Sequence, residues 1–180
     1  MKRAVFTLLL GLFVFEATAN YTNPKAKLKM GQIEFLVGNW QGEGWILNKD
    51  RKKETFIQTE KVEWRLDKTA ILIEGHGRDH QDQMTTHHAL AIISWQEDEK
   101  QYRFVSVLAN GKNGHFNGEV NDKGQFVWTI KSDSGVRRFI IGINQKGQWH
   151  EIGEFSRDGE NWYQFFEMTL DKVKNFSKRK

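Results

Sequence analysis

Short apolar runs alternate with polar turns along most of this chain. Beyond residue 38, runs rich in Val, Ile, Phe, Trp and Thr recur at intervals of roughly eight to twelve residues. They are separated by turn sequences such as NGKNG, NDKG, SDSG, NQKG and RDGE. Runs bounded by glycine-containing turns are typical of antiparallel strands joined by hairpins. The pattern predicts ten strands, the first near Trp40 and the last over residues 161–170.

One segment before the strands has a different period. Apolar side chains at Leu28, Ile33, Phe35 and Leu36 predict a short N-terminal helix between residues 25 and 35. The single proline of the chain precedes this segment. Every later residue therefore keeps the backbone N–H that a strand ladder needs.

Short turns between almost all the strands favour an arrangement in which neighbours in sequence are neighbours in the sheet. An open sheet of this width would leave two unpaired edges, and closure into a barrel removes both. Closure also encloses an interior too wide for side chains alone to fill. We therefore predict an all-β, antiparallel, ten-stranded up-and-down barrel, with a β-sandwich as the alternative.

The N-terminal segment has the composition of a secretory signal. Two basic residues at positions 2 and 3 precede an apolar run over residues 4–15, and a small-x-small cleavage site follows. The run is shorter than the roughly 20 residues that a membrane span requires. The sequence predicts a signal peptide over residues 1–19, cleavage near Ala19, a periplasmic or secreted protein, and one domain over residues 20–180.

Composition excludes several functional classes. The chain has no cysteine, which excludes a disulfide framework, thiol chemistry and a lipoprotein anchor. The formal net charge is +4, and the basic residues are scattered rather than clustered. We therefore predict no nucleic-acid partner. The sequence carries no indication of an oligomeric state.

The stretch GNWQGEGW, at residues 38–45, combines three glycines with two tryptophans. It lacks the frame of a phosphate-binding loop and of a dinucleotide-binding fingerprint. In a strand, Gly38, Trp40, Gly42 and Gly44 share one face because side chains alternate. We expect Trp40 to close one end of the barrel and the glycines to leave the space above it unoccupied.

This stretch resembles the Gly-x-Trp-x-Gly-x-Gly opening of nitrobindin-like barrels, which belong to the calycin group. The segment EFSRDGENW, residues 154–162, resembles an uncharacterised family of bacterial exported lipocalin-like proteins. These resemblances imply a calycin-like barrel. Nitrobindins bind haem through a histidine on the last strand, and residues 161–170 contain none. We therefore predict no cofactor, with haem recruited through His150 on the preceding strand as the alternative.

Histidines cluster around one predicted hairpin. His76, His80 and His88 are weak candidates for metal ligands, but their spacing matches no recognised site and we predict no metal. If the turn after Leu66 has three residues, Glu60 faces His76 across the hairpin. That pair is either a solvent-side ion pair or a polar anchor in the cavity.

Tryptophan and arginine supply the remaining candidate ligand contacts. The seven tryptophans either pack the core or line a cavity, and we expect Trp64, Trp128 and Trp162 to face a ligand. Arg137 and Arg138 are consecutive, so one of them points inward in a regular strand. Arg138 is the candidate anchor for an anionic group, and an ion pair with a strand glutamate is the alternative.

No recognised catalytic motif is present, since there is no Gly-x-Ser-x-Gly and no cysteine. We predict an exported, non-catalytic protein that binds a small, mainly hydrophobic molecule in its barrel. Two alternatives remain. One is a haem-binding protein or an enzyme that uses the same cavity, with His76 or His150 as the reactive group. The other is an interaction module whose barrel is filled.

Overall fold

Ten antiparallel strands form a closed barrel in the computed structural model, which describes residues 22–174. Each strand pairs with its neighbours in sequence, and the first pairs with the last. This confirms the predicted fold class. The strands are β1 (Gly38–Leu47), β2 (Lys53–Arg65), β3 (Ala70–Asp79), β4 (Thr85–Gln96), β5 (Gln101–Leu108), β6 (Asn113–Val120), β7 (Phe126–Ser132), β8 (Gly135–Ile143), β9 (Trp149–Ser156) and β10 (Tyr163–Val173).

The predicted signal peptide, residues 1–19, lies outside the described residues. Within residues 22–174, no helix combines the length and the apolar character that crossing a membrane requires.

The single α-helix of the described chain, α1 (Pro24–Gly31), begins at a well-formed cap. The Asn23 side chain accepts hydrogen bonds from the backbone N–H groups of Lys25 and Ala26, which have no partner inside the helix. Pro24 occupies the first helical turn, where its missing N–H costs nothing. The helix ends earlier than predicted, and Leu28 is exposed rather than buried.

The helix and the turn after it pack over one end of the barrel, which we call the closed end. Met30, Ile33 and Leu36 are fully buried there. Beneath them Trp40, 2% exposed, donates its indole N–H to the carbonyl of Leu36 over 2.8 Å. The Trp40 ring meets the Trp149 ring edge to face, with centroids 5.8 Å apart. Two interlocked indoles thus form the base of the barrel interior.

The opposite end of the barrel is formed by the turns over residues 48–52, 80–84, 109–112, 133–134 and 157–162. We call it the open end.

The register between β2 and β3 differs by one residue from the predicted one. Glu60 pairs with Gly75, and His76 pairs with Thr59. The connection uses four residues, 66–69, rather than three. Because neighbouring positions on a strand face opposite sides, Glu60 points into the barrel and His76 points away from it.

Gly42 and Gly44 serve a different purpose from the one predicted. A β-carbon on Gly42 would overlap the carbonyl oxygen of Thr169 and lie 2.8 Å from Cα of Leu170. One on Gly44 would lie 2.6 Å from the carbonyl oxygen of Glu167. The glycines therefore allow β10 to approach β1 closely where the barrel closes, and they do not leave empty space above Trp40.

Candidate functional site

A cavity of about 550 Å³ occupies the barrel between the two tryptophans and the open end. Its lining comes from inward-facing positions on all ten strands and reaches Lys112 and Asn113, which are exposed at the open end. A volume of this size is in the range of small-molecule binding sites.

One wall of the cavity is a stack of aromatic rings. Trp128 lies between Phe104 and Phe139, with centroid separations of 4.7 and 4.3 Å and interplanar angles of 19° and 10°. The Phe116 ring packs against the Trp128 ring, with the two ring centroids 5.3 Å apart. Phe104 pairs with Phe116 and Trp128 pairs with Phe139 across neighbouring strands, so their rings share the inner face of the barrel. The wall offers flat apolar area to a bound molecule.

Two carboxyl groups lie at the inner end of the cavity. Glu60 on β2 is 8% exposed and Glu151 on β9 is 6% exposed, and both line the cavity. Gln58 donates its amide N–H to Oε1 of Glu60 over 2.6 Å. Trp149 donates its indole N–H to Oε2 of Glu151 over 3.1 Å. We call Glu60 and Glu151 the carboxyl pair.

Glycines opposite Glu60 and Gln58 make room for these two side chains. A β-carbon on Gly75 would lie 2.7 Å from Oε2 of Glu60, and one on Gly77 would lie 2.6 Å from Oε1 of Gln58. Gly75 is the cross-strand partner of Glu60, and Gly77 is the partner of Gln58. The missing side chains on β3 thus let two polar side chains of β2 lie flat inside the barrel.

Burial changes the ionisation of both carboxyl groups. Loss of hydration raises the pKa of Glu60 to about 7, and the hydrogen bond from Gln58 opposes the rise. Loss of hydration also raises the pKa of Glu151 to about 8, with a further contribution from the charge of Glu60 and an opposing one from Trp149. The pair therefore changes its charge near neutral pH.

Two basic side chains complete the ionisable lining of the described chain. Burial lowers the pKa of His87, and the neighbouring His88 and His76 lower it further. His87 is therefore neutral at pH 7. Lys112 lies in the exposed turn between β5 and β6, at the open end. The inner end of the cavity is acidic, and its rim carries the basic group.

The predicted tryptophan contacts have three different positions. Trp128 lies in the aromatic wall. Trp64 faces inward at the closed end, where it packs against the hydrophobic core outside the cavity lining. Trp162 lies in the turn before β10 and donates its indole N–H to the carbonyl of Gly159. Only the first of these side chains lines the cavity.

Arg138 lies on the outer face of β8, in contrast to the predicted inward anchor. Its Nε donates to Oε2 of Glu154 over 2.7 Å, and its guanidinium lies 3.8 Å from the ring centre of Trp162. This is the ion pair with a strand glutamate considered above as the alternative. Arg137 has the inward parity, and its guanidinium lies 5.5 Å from the Phe155 ring. Neither arginine lines the cavity.

The predicted histidine candidates lie outside the cavity. His76 and His88 pack against each other on the outer face, with ring centroids 4.9 Å apart, and His80 lies 3.5 Å from Glu43. Among residues 22–174, no group of three or more potential ligands is placed to hold a metal ion. His150 is on the outer face of β9, where its Nε2 lies 3.2 Å from Oε1 of Glu167.

Sequence reasoning missed Glu151 at the inner end of the cavity, and it gave Glu60 as a polar anchor there only as one of two alternatives. On β9, Trp149, Glu151 and Gly153 are each two residues apart and therefore share one face of the strand. The signal available in the sequence was a carboxylate on the same face as a large apolar side chain. Glu60 shares its face with Phe56, Val62 and other apolar positions of β2. In both strands the pattern is a charged residue on a face that otherwise carries mainly apolar side chains.

Comparison with known proteins places the fold. No protein-family model and no curated protein matches the chain. Among solved structures, the barrel is similar to Rv2717c from M. tuberculosis, with a TM-score of 0.62 and 10% identity over 81% of this chain and 97% of that one. It is also similar to the S-type phycobiliprotein lyase CPES from Guillardia theta, with a TM-score of 0.55 and 11% identity over 86% and 97%. The fold is a calycin-like barrel. At these identities the likeness concerns architecture alone.

Proposed function

We propose that this protein binds a small, mainly hydrophobic molecule inside its barrel and does not transform it. The observation that carries the proposal is the cavity of about 550 Å³ behind an open end, with an aromatic wall on one side. Removing apolar ligand surface from water contributes about 25 cal/mol per Å². Flat rings such as those of Phe104, Trp128 and Phe139 supply such contact area at a small entropic cost, since they are already packed.

The same cavity also supports a second function. A carboxyl group with a pKa near neutrality is suited to general acid–base catalysis, and Glu60 and Glu151 both have that property. A phycobiliprotein lyase among the similar structures has a comparable barrel, so the fold is compatible with either role. Binding is preferred because most of the lining is apolar and one side of it is a wall of packed aromatic rings.

The proposal includes no resident cofactor. An axial ligand is the one group that a haem site must supply. The candidate His150 is on the outer face, in contact with Glu167, and the histidine of the described lining is His87, which no sequence motif marks as a haem ligand. A Soret absorption band that persists in the purified protein would contradict this part of the proposal.

Filling the cavity should abolish ligand binding. Ala89 lines the cavity and Leu90, the next residue of β4, is exposed on the outer face. We expect Ala89→Trp to weaken binding of the neutral fluorophore N-phenyl-1-naphthylamine by about tenfold or more, because its indole occupies space that the ligand needs. Fluorescence titration measures the effect.

The matched control is Leu90→Trp, which adds an indole on the other side of the same strand. It should leave binding within about twofold of the unmodified protein. Thermal melting of both variants separates loss of the site from loss of the fold. Equal binding by the unmodified protein and Ala89→Trp would show that the fluorophore does not bind in the cavity.

Export is the other part of the proposed function, supported by the basic, apolar and small-residue order of residues 1–19. Expression of the full chain in a bacterial host should yield a periplasmic or secreted protein. Its intact mass, measured by mass spectrometry, should match a chain that begins at Asn20. A protein of full-length mass that remains in the cytoplasm would contradict export.

A further inference from the structure

The inner end of the cavity holds two acceptor groups, the carboxyl groups of Glu60 and Glu151. Each member of the carboxyl pair accepts one hydrogen bond from a described neighbour, Gln58 or Trp149. An ionised carboxylate has about four acceptor positions. The pair can therefore accept further hydrogen bonds, and the cavity is the space from which a donor would approach.

Charge is unbalanced at the same place. Glu60 and Glu151 are both buried, and the charge of one disfavours that of the other. Their neighbours Gln58 and Trp149 are neutral. The basic side chains of the cavity lining are His87, which is neutral at pH 7, and Lys112 at the open end. Buried carboxylates are stabilised by a cation that also donates hydrogen bonds.

We propose that the ligand of this cavity has an apolar, aromatic body and a positively charged nitrogen at one end, which binds between the carboxyl groups of Glu60 and Glu151. The inference rests on the proposed function and specifies the chemical class of the ligand. The aromatic wall contacts the body, and the carboxyl pair contacts the nitrogen. An anionic ligand is disfavoured, because Arg138 lies outside the barrel and the inner end is acidic.

The arrangement of glycines supports a built site rather than an accidental burial of charge. Gly75 and Gly77 are the positions where a side chain would collide with Glu60 and Gln58. Gln58 in turn orients the Glu60 carboxyl group with a short hydrogen bond of 2.6 Å. Two strands thus cooperate to hold one acceptor at the inner end of an otherwise apolar cavity.

Binding of a cation should release protons and therefore depend on pH. A cation favours the ionised form of the carboxyl pair, so the amine should bind more tightly as the pH rises through the titration of Glu60 and Glu151. His87 titrates at lower pH, and its neutral form also favours a cation. His87→Gln removes that contribution and should leave the rise between pH 6 and 8.5 in place.

Two ligands of nearly equal shape test the proposal. 2-(Aminomethyl)naphthalene is cationic at pH 7.5, and 2-(hydroxymethyl)naphthalene is its neutral counterpart. We expect the unmodified protein to bind the amine about tenfold or more tightly than the alcohol, measured by isothermal titration calorimetry. In the Glu60→Gln/Glu151→Gln variant this preference should fall to about threefold or less, while the alcohol keeps its affinity.

Each outcome decides the matter. Equal affinity for the two ligands in the unmodified protein, or an unchanged preference in the double variant, overturns the inference and leaves the proposed function standing, provided that Ala89→Trp blocks the alcohol. If neither ligand binds, the inference is wrong, and the fluorophore titration decides the proposed function separately. The pH profile of the preference in the unmodified protein, from 6 to 8.5, needs no variant and keeps the test valid if the double variant does not fold. A flat profile overturns the inference.

Discussion

Replacing Gly42 with alanine should destabilise the barrel by about 3 kcal/mol or more. The new β-carbon would overlap the carbonyl oxygen of Thr169 and crowd Cα of Leu170, both of which are backbone atoms of β10. Backbone atoms cannot rotate away as a side chain can, so β1 and β10 must separate at the seam that closes the barrel. Chemical denaturation of the variant and of the unmodified protein measures the difference.

Gly31→Ala provides the control. Gly31 lies at the end of α1, and a β-carbon there meets nothing within 4 Å. Because alanine is the better helix former, this variant should be unchanged or more stable by up to about 1 kcal/mol. If Gly42→Ala unfolds at the same denaturant concentration as Gly31→Ala, β10 does not pack against β1 as described.

Raising the pH from 5 to 9 should destabilise the unmodified protein by several kcal/mol more than it destabilises Glu60→Gln/Glu151→Gln. In the folded protein Glu60 and Glu151 hold their protons up to pKa values of about 7 and 8. In the unfolded chain they lose them near 4.5. Between these values the folded state binds more protons than the unfolded state, so stability falls as the pH rises.

The size of this effect follows from the difference in proton affinity between the two states. Each tenfold difference corresponds to about 1.4 kcal/mol, so the pair contributes on the order of several kcal/mol. The stabilisation is fully present below about pH 4.5 and is lost by about pH 9. Glutamine keeps the shape and can still accept from Gln58 and Trp149, so the variant isolates the titration. Parallel curves of unfolding free energy against pH for the two proteins would contradict the burial of the pair.

Most of the barrel could be predicted because its signals are local. The strand predicted near Trp40 is β1, Gly38–Leu47, and the one predicted over residues 161–170 is β10, Tyr163–Val173. The turns that bound such strands contain residues like Gly124 and Gly147, whose positive φ angles of 73° and 76° favour glycine. Alternation and turn chemistry together determine strand order when every connection is a hairpin.

The register of β2 against β3 could not be predicted in the same way. Leu66, Asp67 and Lys68 all have positive φ, at 49°, 52° and 67°. Three consecutive residues other than glycine in this region are unusual for L-amino acids, and nothing in their side chains indicates it. The turn is therefore one residue longer than expected, and the predicted Glu60–His76 pair does not form.

The composition of the site was also hidden, for a different reason. Arg138 and Trp162 were predicted to contact a ligand, but the guanidinium of Arg138 lies over the Trp162 ring on the outer surface. Glu151 resembled an ordinary strand carboxylate, and Glu60 was a cavity anchor only as the alternative to a solvent-side ion pair with His76. Only closure of the barrel brings β2 and β9, which are far apart in sequence, to the same interior. Their shared position is a property of the fold and not of either segment.

The position of the carboxyl pair at the inner end has a consequence for how a ligand travels. The helix and the two indoles obstruct the closed end, and the cavity reaches solvent at the open end. A molecule with a charged nitrogen at one tip must therefore enter head first and depart tail first. Its tail stays near the rim, where extra length projects into solvent without a clash. Such a site distinguishes molecules by their head group and tolerates a wide range of tails.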